Sequence, residues 1–318
     1  MLCTASGLAL VIGTGVIVLV AIAMALVGPG RTVSAASVAV DVAKTSATST
    51  ASTDPDTGLS SVKKAAASAA AAQTATADPS ASLATAVAGL VNSDDSHVSV
   101  AVEDLSTGAT AGYNVSDDYV TASIVKLDIL ETLLYDDQQN GSSPSSEEQG
   151  QITAMIEESD NDAALNLYNE EGGASAITAA NKVFGLTDTE VDDEAFGDTT
   201  TTTTDQILLL RQTFTDDSRL TAANRSYIQS LMSNVESDQR WGVSAAADDS
   251  SSSASDYLLK NGWLPRSATD LWEINSIGEV EHDGHEYLVA VLSADNETMD
   301  DGVSVVQNVA KAAVDGLG

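Results

Sequence analysis

The chain has 318 residues and a formal net charge of −34, with 47 acidic side chains against 13 lysines and arginines. Such a surface repels polyanions, which argues against nucleic acid as a partner. Hydrophobic residues make up 43% of the chain but aromatic ones only 4%, so a core must come from Ala, Val, Leu and Ile, and the single cysteine, Cys3, excludes an intrachain disulfide.

Residues 2–30 carry no charged side chain, and Leu8–Val27 is a long apolar run. A helix of about 20 residues spans the ~30 Å hydrocarbon layer of a bilayer. Residues 1–31 are therefore expected to form a transmembrane anchor or a signal segment, with a small-residue cleavage point at Val33-Ser34-Ala35. Cys3 precedes the run, whereas the cysteine of a lipoprotein signal follows it. Arg31, the nearest basic residue, also follows the run, which leaves the orientation open. Residues 32–81 are dominated by Ala, Ser and Thr and bury too little surface to offset ordering entropy. They read as a stalk, with a helical tendency around Val62–Ala72. Basic and acidic residues balance before residue 91, so the whole net charge falls on the remainder. An acidic, well-hydrated surface of that kind suits a salty or acidic habitat.

The folded domain is expected over 82–318. Ser82–Val91 reads as a first helix. His97–Leu105 alternates as a strand, turns at Ser106-Thr107-Gly108, and returns at Ala111–Val115. Ile124–Tyr135 is apolar on nearly every face and should be a buried central helix. Helices are expected at Glu147–Glu158, Asp162–Asn169, Asp205–Thr213 and Ala222–Met232. Strands resume at Tyr257–Leu264 and Leu271–Val280, Asp283-Gly284 signals a hairpin, and Tyr287–Ser293 is the last strand before a helix at Met299–Leu317. Strands, a helical block, strands and a helix make an α+β fold, its five-stranded antiparallel sheet completed by both ends of the chain.

Three short motifs carry chemistry. Ser123-Ile124-Val125-Lys126 places a hydroxyl and an amine one helical turn apart, on one face. Apolar neighbours should lower the Lys126 pKa until it can take the Ser123 proton, and the serine N–H at a helix start can face an oxyanion. The pattern is weak alone, since Ser60–Lys63 and Ser61–Lys64 match it inside the stalk. Ser159-Asp160-Asn161 precedes a helix, where such residues are ordinary N-caps. Their functional reading gives Ser159 a proton-relay hydroxyl and Asn161 a substrate-orienting amide. Lys260-Asn261-Gly262 ends the strand Tyr-Leu-Leu-Lys, where Lys260 sets the local potential. Gly262 lets substrate approach the strand backbone, and the Trp263 N–H offers a second oxyanion donor.

Ser-x-x-Lys at a helix start, Ser-Asp-Asn before a helix and Lys-x-Gly on a late strand form one ordered set. In this set, and in TASIVKLDIL, ESDNDAALNLY, the Asp198–Thr204 run, SDQRWGVSAAA and LKNGWLP, residues 85–318 resemble the class A β-lactamase-related serine hydrolases of actinobacterial type. The resemblance implies an extracytoplasmic serine acyl-enzyme without metal or cofactor. Ser123 would be its nucleophile, Lys126 its general base, Ser159 its proton shuttle and Lys260 its electrostatic group. Asn161, Asn261, Gly262 and Trp263 would contact substrate.

Three departures stand out. Asn261 occupies the place of the family's Thr or Ser, and bulky Trp263 follows it. The loop GLTDTEVDDEAFGDTT holds Glu190 and Glu194 but lacks the Glu-x-x-Leu-Asn that primes a deacylating water in class A enzymes. No Lys or Arg lies between Lys182 and Arg211, so a salt bridge pinning that loop through Asp198 needs a partner from elsewhere. The spacing of the first two motifs is also short, as for a trimmed helical region over the cleft. A Ser-His-Asp triad has only His97, His282 and His285 to draw on, and the last two flank a turn. A metal site from His282, Asp283 and His285 lacks further ligands nearby in sequence.

Two readings remain open. One is a hydrolase acylated at Ser123 by β-lactams or related acyl compounds, a close relative of D-Ala-D-Ala peptidases, with slow release. The other is a non-catalytic envelope module that binds peptidoglycan peptides. Either is expected to be a monomer outside the cytoplasm, held at the membrane or secreted.

Overall fold

Period-two alternation over residues 285–296 sends Leu288, Ala290 and Leu292 into one apolar cluster and Tyr287, Val289 and Val291 into another, all fully buried. A strand buried on both faces must lie inside a sheet with packed layers above and below. The computed structural model describes residues 78–91, 97–248 and 256–318. The expected anchor at Leu8–Val27 and nearly all of the expected stalk lie outside the described residues. Among the described residues no helix is long and apolar enough to cross a membrane.

The sheet comprises β1 (His97–Asp104), β2 (Thr110–Tyr113), β5 (Tyr257–Arg266), β6 (Leu271–His282) and β7 (His285–Asn296). Its order is β2-β1-β7-β6-β5, antiparallel throughout, so β7 sits centrally and joins the N-terminal hairpin to the C-terminal strands. The expected five-stranded antiparallel sheet is present. Asp283 and Gly284 both take positive φ, 49° and 78°, as a two-residue primed hairpin turn requires.

On one face, α1 (Pro79–Ala88) and α8 (Met299–Asp315) cover Val98, Val100, Val289 and Val291. The other face carries the helical block. It contains α2 (Val125–Asn140), α3 (Ser146–Glu157), α4 (Asn161–Glu171), α5 (Ala174–Phe184), α6 (Thr203–Phe214) and α7 (Ala222–Ser233). Helix α2 is buried at every position from Val125 to Leu134 and stops at Gly141, whose φ of 69° an L side chain rarely adopts. A two-stranded ribbon of β3 (Tyr119–Val120) and β4 (Thr200–Thr201) brings the segment before Ser123 against the loop before α6.

Most expected elements hold within a few residues. Helix α5 and the β3–β4 ribbon were not expected. Helix α1 begins at Pro79, ahead of the expected start at Ser82, because Asp78 accepts the Ser80 N–H and Pro79 presets the first turn.

Candidate active site

Ser123 stands in a 3-10 turn, Ala122–Ile124, that runs directly into α2. Ala122 is buried with a φ of 49°, a left-handed conformation that a residue with a Cβ holds only under external constraint. The constraint is visible. Thr121 N–H donates to the Thr199 carbonyl at 2.8 Å, and Asn275 on β6 donates its amide to the carbonyls of Val120 and Thr121 at 2.8 and 3.0 Å. The sheet and the ribbon thus fix the serine turn from two sides.

Gly262 on β5 closes the third side. A Cβ built there would lie 2.7 Å from the Thr121 carbonyl oxygen and 2.9 Å from the Ser123 amide nitrogen. The strand backbone therefore lies against the serine turn at a distance only glycine permits.

Lys126, one turn into α2, is fully buried, and its amine is the hub of the cluster. The Nζ lies 3.1 Å from Ser123 Oγ, 2.6 Å from the Ser159 carbonyl oxygen, 3.3 Å from Ser159 Oγ and 2.7 Å from Asn161 Oδ1. Burial pushes its pKa down to about 8, against the opposing pull of the Asp160 carboxylate. A neutral amine has two N–H donors and one lone pair. The two shortest contacts, to Ser159 O and Asn161 Oδ1, take the donors and leave the lone pair for the Ser123 proton.

Lys260 is also fully buried, and its Nζ donates to Ser159 Oγ at 3.0 Å and to the Asn261 carbonyl at 3.2 Å. Burial, then repulsion from Lys126, holds its pKa well below the usual lysine range. Ser159 Oγ thus stands between two amines, and Ser159 itself has a φ of 59°. Within Ser159-Asp160-Asn161, the middle residue is the N-cap of α4, accepting the Ala163 N–H at 2.7 Å. Capping and the cluster divide the motif between them.

A cleft of about 330 Å³ opens over Ser123, lined by Asn161 and Asp162 of α4, by Trp263 and Leu264 of β5, and by Glu194 and Phe196 of the intervening loop. Trp263 is half-buried and meets Trp241 edge-on, with ring centroids 6.1 Å apart. Asn261 turns away from this cleft. Its amide hydrogens go to the carbonyls of Gln239 at 2.7 Å and Trp241 at 3.0 Å, so it holds a loop and offers substrate no free donor. Among the described residues, no lysine or arginine lines the cleft surface.

The loop preceding the Thr-rich segment is pinned from outside. Arg266 donates to Asp198 at 2.6 Å from the end of β5. Glu190 pairs with Thr200 through the backbone, and Glu194 lies exposed on the cleft rim. His282 and His285 do not share a site, since His285 Nδ1 faces Asp104 at 2.9 Å.

Ser123, Lys126, Ser159, Asn161 and Lys260 therefore come together, with Gly262 and Trp263 on the wall and Asn261 behind it. Sequence reasoning missed Asn275, Arg266 and Phe196. Asn275 was one polar residue among several on its strand, so no local signal singled it out.

The family model described as "Beta-lactamase enzyme family" matches residues 149–317, a span that contains Ser159 and Lys260 and begins after Ser123. A protein described as "Putative lipoprotein LppW" from Mycobacterium tuberculosis is 30% identical over 92 residues, 29% of each chain, so the match spans under a third of that relative. The fold is similar to a class A β-lactamase from Bacteroides cellulosilyticus, with TM-score 0.64 and 16% identity over 75% of this chain and 98% of that one. It is likewise similar to PBP-A, with TM-score 0.62 and 15% identity over 73% and 94%. A variant of PBP-A has been solved as an acyl-enzyme complex with penicillin G. These likenesses show a class A β-lactamase-like α+β fold.

Proposed function

The chain belongs to the β-lactamase enzyme family, and from that premise we propose that it is an extracytoplasmic serine acyl-enzyme, acylated at Ser123 by β-lactams or related acyl compounds and releasing them slowly by hydrolysis. One observation carries the reading. The Lys126 amine is buried within 3.3 Å of both Ser123 Oγ and Ser159 Oγ, in a setting that favours its neutral form.

In the proposed acylation, Ser123 Oγ attacks the substrate carbonyl carbon while its proton passes to Lys126 Nζ. The developing oxyanion is met by the N–H groups of Ser123 and Trp263, which the close approach of Gly262 supports. The carbonyl–nitrogen bond breaks, and the leaving nitrogen takes a proton from Ser159 Oγ. Lys126 or Lys260 then reprotonates that oxygen, since both reach it. Deacylation needs a water with a base beside it. Glu190 and Glu194 are both exposed, and neither is built into the site by a hydrogen bond, which favours a long-lived adduct.

Substrate selection follows from the walls. Asn261 has committed its donors, so the buried amine of Lys260, its pKa held well below the usual lysine range, is the remaining basic group for a substrate carboxylate. Weak capture of anionic β-lactams is expected beside a chain of net charge −34. The apolar run at Leu8–Val27 supports placement at the cell envelope, as does a relative described as a lipoprotein.

The test is time-resolved mass spectrometry with a penicillin. A mass increase that disappears in Ser123→Ala and decays slowly supports the proposal. No adduct after long incubation selects the peptidoglycan-binding module instead.

A further inference from the structure

Two positions before Lys260 on the same face of β5, Leu258 opens onto a second cavity, of about 250 Å³. Leu105, Phe214 and Leu258 form its apolar wall, and Glu279, Glu281 and Glu286 its acidic one. Glu281 and Glu286 are directly opposed across the β6–β7 ladder, where like charges cost stability. Both are exposed and form the rim. Glu279 is the floor. It is 9% exposed, and it makes no hydrogen bond or ion pair with any described residue.

A buried carboxyl aimed into a cavity without a partner is costly unless something completes it. Burial, then repulsion from Glu286 and Glu281, raises its pKa to about 7, and a positive charge beside it would favour the ionised carboxylate. Gln229 adds no counter-charge, and its amide already donates to the Thr213 carbonyl.

The shape distinguishes an ion from a molecule. Among the described residues, the trio of metal-ligating side chains close enough to share one ion is Asp248, His282 and Asp283, and the three glutamates are not such a group. Their cavity is also much larger than a bare cation and is apolar along one wall. We propose that this cavity binds a small aliphatic amine, whose ammonium meets Glu279 between Glu281 and Glu286 and whose methylenes lie along Leu105, Phe214 and Leu258. The site shares no lining residue with the Ser123 cleft.

Isothermal titration of the full chain with 1,5-diaminopentane at fixed ionic strength tests this. The expected result is saturable one-site binding, weakened at least about tenfold in Glu279→Gln and lost in Glu281→Lys, whose own ammonium reaches the rim. A Glu→Gln change at exposed Glu170 is expected to leave binding unchanged, and 1,5-pentanediol is expected not to bind. Glu281 is exposed, so its variant keeps the test valid if Glu279→Gln does not fold. Absent binding overturns the proposal. So does binding that both cavity variants leave intact, which marks diffuse attraction to the acidic surface, or equal occupancy by calcium chloride alone.

Discussion

Each amine of the cluster answers a different question about proton movement. Lys126 has its pKa lowered to about 8, so the fraction able to accept the Ser123 proton grows as pH rises through that value. The acylation rate should climb about tenfold per pH unit below 7 and level off above 9, followed as penicillin labelling against pH. Lys126→Ala should slow labelling by at least about a hundredfold and remove this pH dependence. Unchanged kinetics would take the proton-accepting role away from Lys126. The three motifs were legible in the sequence because each is local, with its members on one turn or one strand end. Asn261 was misjudged for the opposite reason. Its type permits a donor to substrate, but its two hydrogens are claimed by Gln239 and Trp241, residues brought near only by the fold. Asp160 was readable only as a cap, and a cap it is.

At the scale of elements, the serine turn is a junction of α2, β5, β6 and the β3–β4 ribbon. Gly262→Ala drives a methyl into the backbone of Thr121 and Ser123, and it should abolish labelling while far-ultraviolet circular dichroism still reports the fold. Arg266→Ala releases Asp198, and hydrogen exchange over residues 188–199 should quicken without loss of acylation. Intact exchange protection would show the loop is held by its own turns, such as Asp192 accepting the N–H groups of Glu194 and Ala195. Long strands were legible from period-two alternation, and the central helix from its density of apolar residues on every face. Helix α5 was not, since the two glycines before it, Gly172 and Gly173, read as a loop and it has no side-chain cap to mark its start. The two-residue strands β3 and β4 have no period to read at all. The partner of Asp198 lies 68 positions away, beyond any local pattern.

For the whole molecule, the dominant facts are its charge and its buried acids. With a net charge of −34, raising NaCl from about 0.1 to 1 M shortens the screening length from ~10 to ~3 Å and should raise Tm by several degrees. A Tm indifferent to salt would count against the saline-habitat reading. Asp128 and Glu131 are buried inside α2 with no cationic partner among the described residues, and burial raises both pKa values, that of Asp128 to about 7. For acids with raised folded pKa values, the fold prefers the neutral form. Their contribution is fully present below the unfolded carboxyl range near about 4 and is lost as pH rises toward about 7. Tm should therefore fall between pH 5.5 and 7.5, and Asp128→Asn should flatten that slope.

Strand β1 finds its sheet partners in β2 and β7, and β7 ends at Asn296, close to the end of the chain. The helical block and the strands β5 and β6 must therefore be synthesised before the first long strand can pair with its inner neighbour. Until then the inner edge of β1 is open to pairing with another copy of the chain.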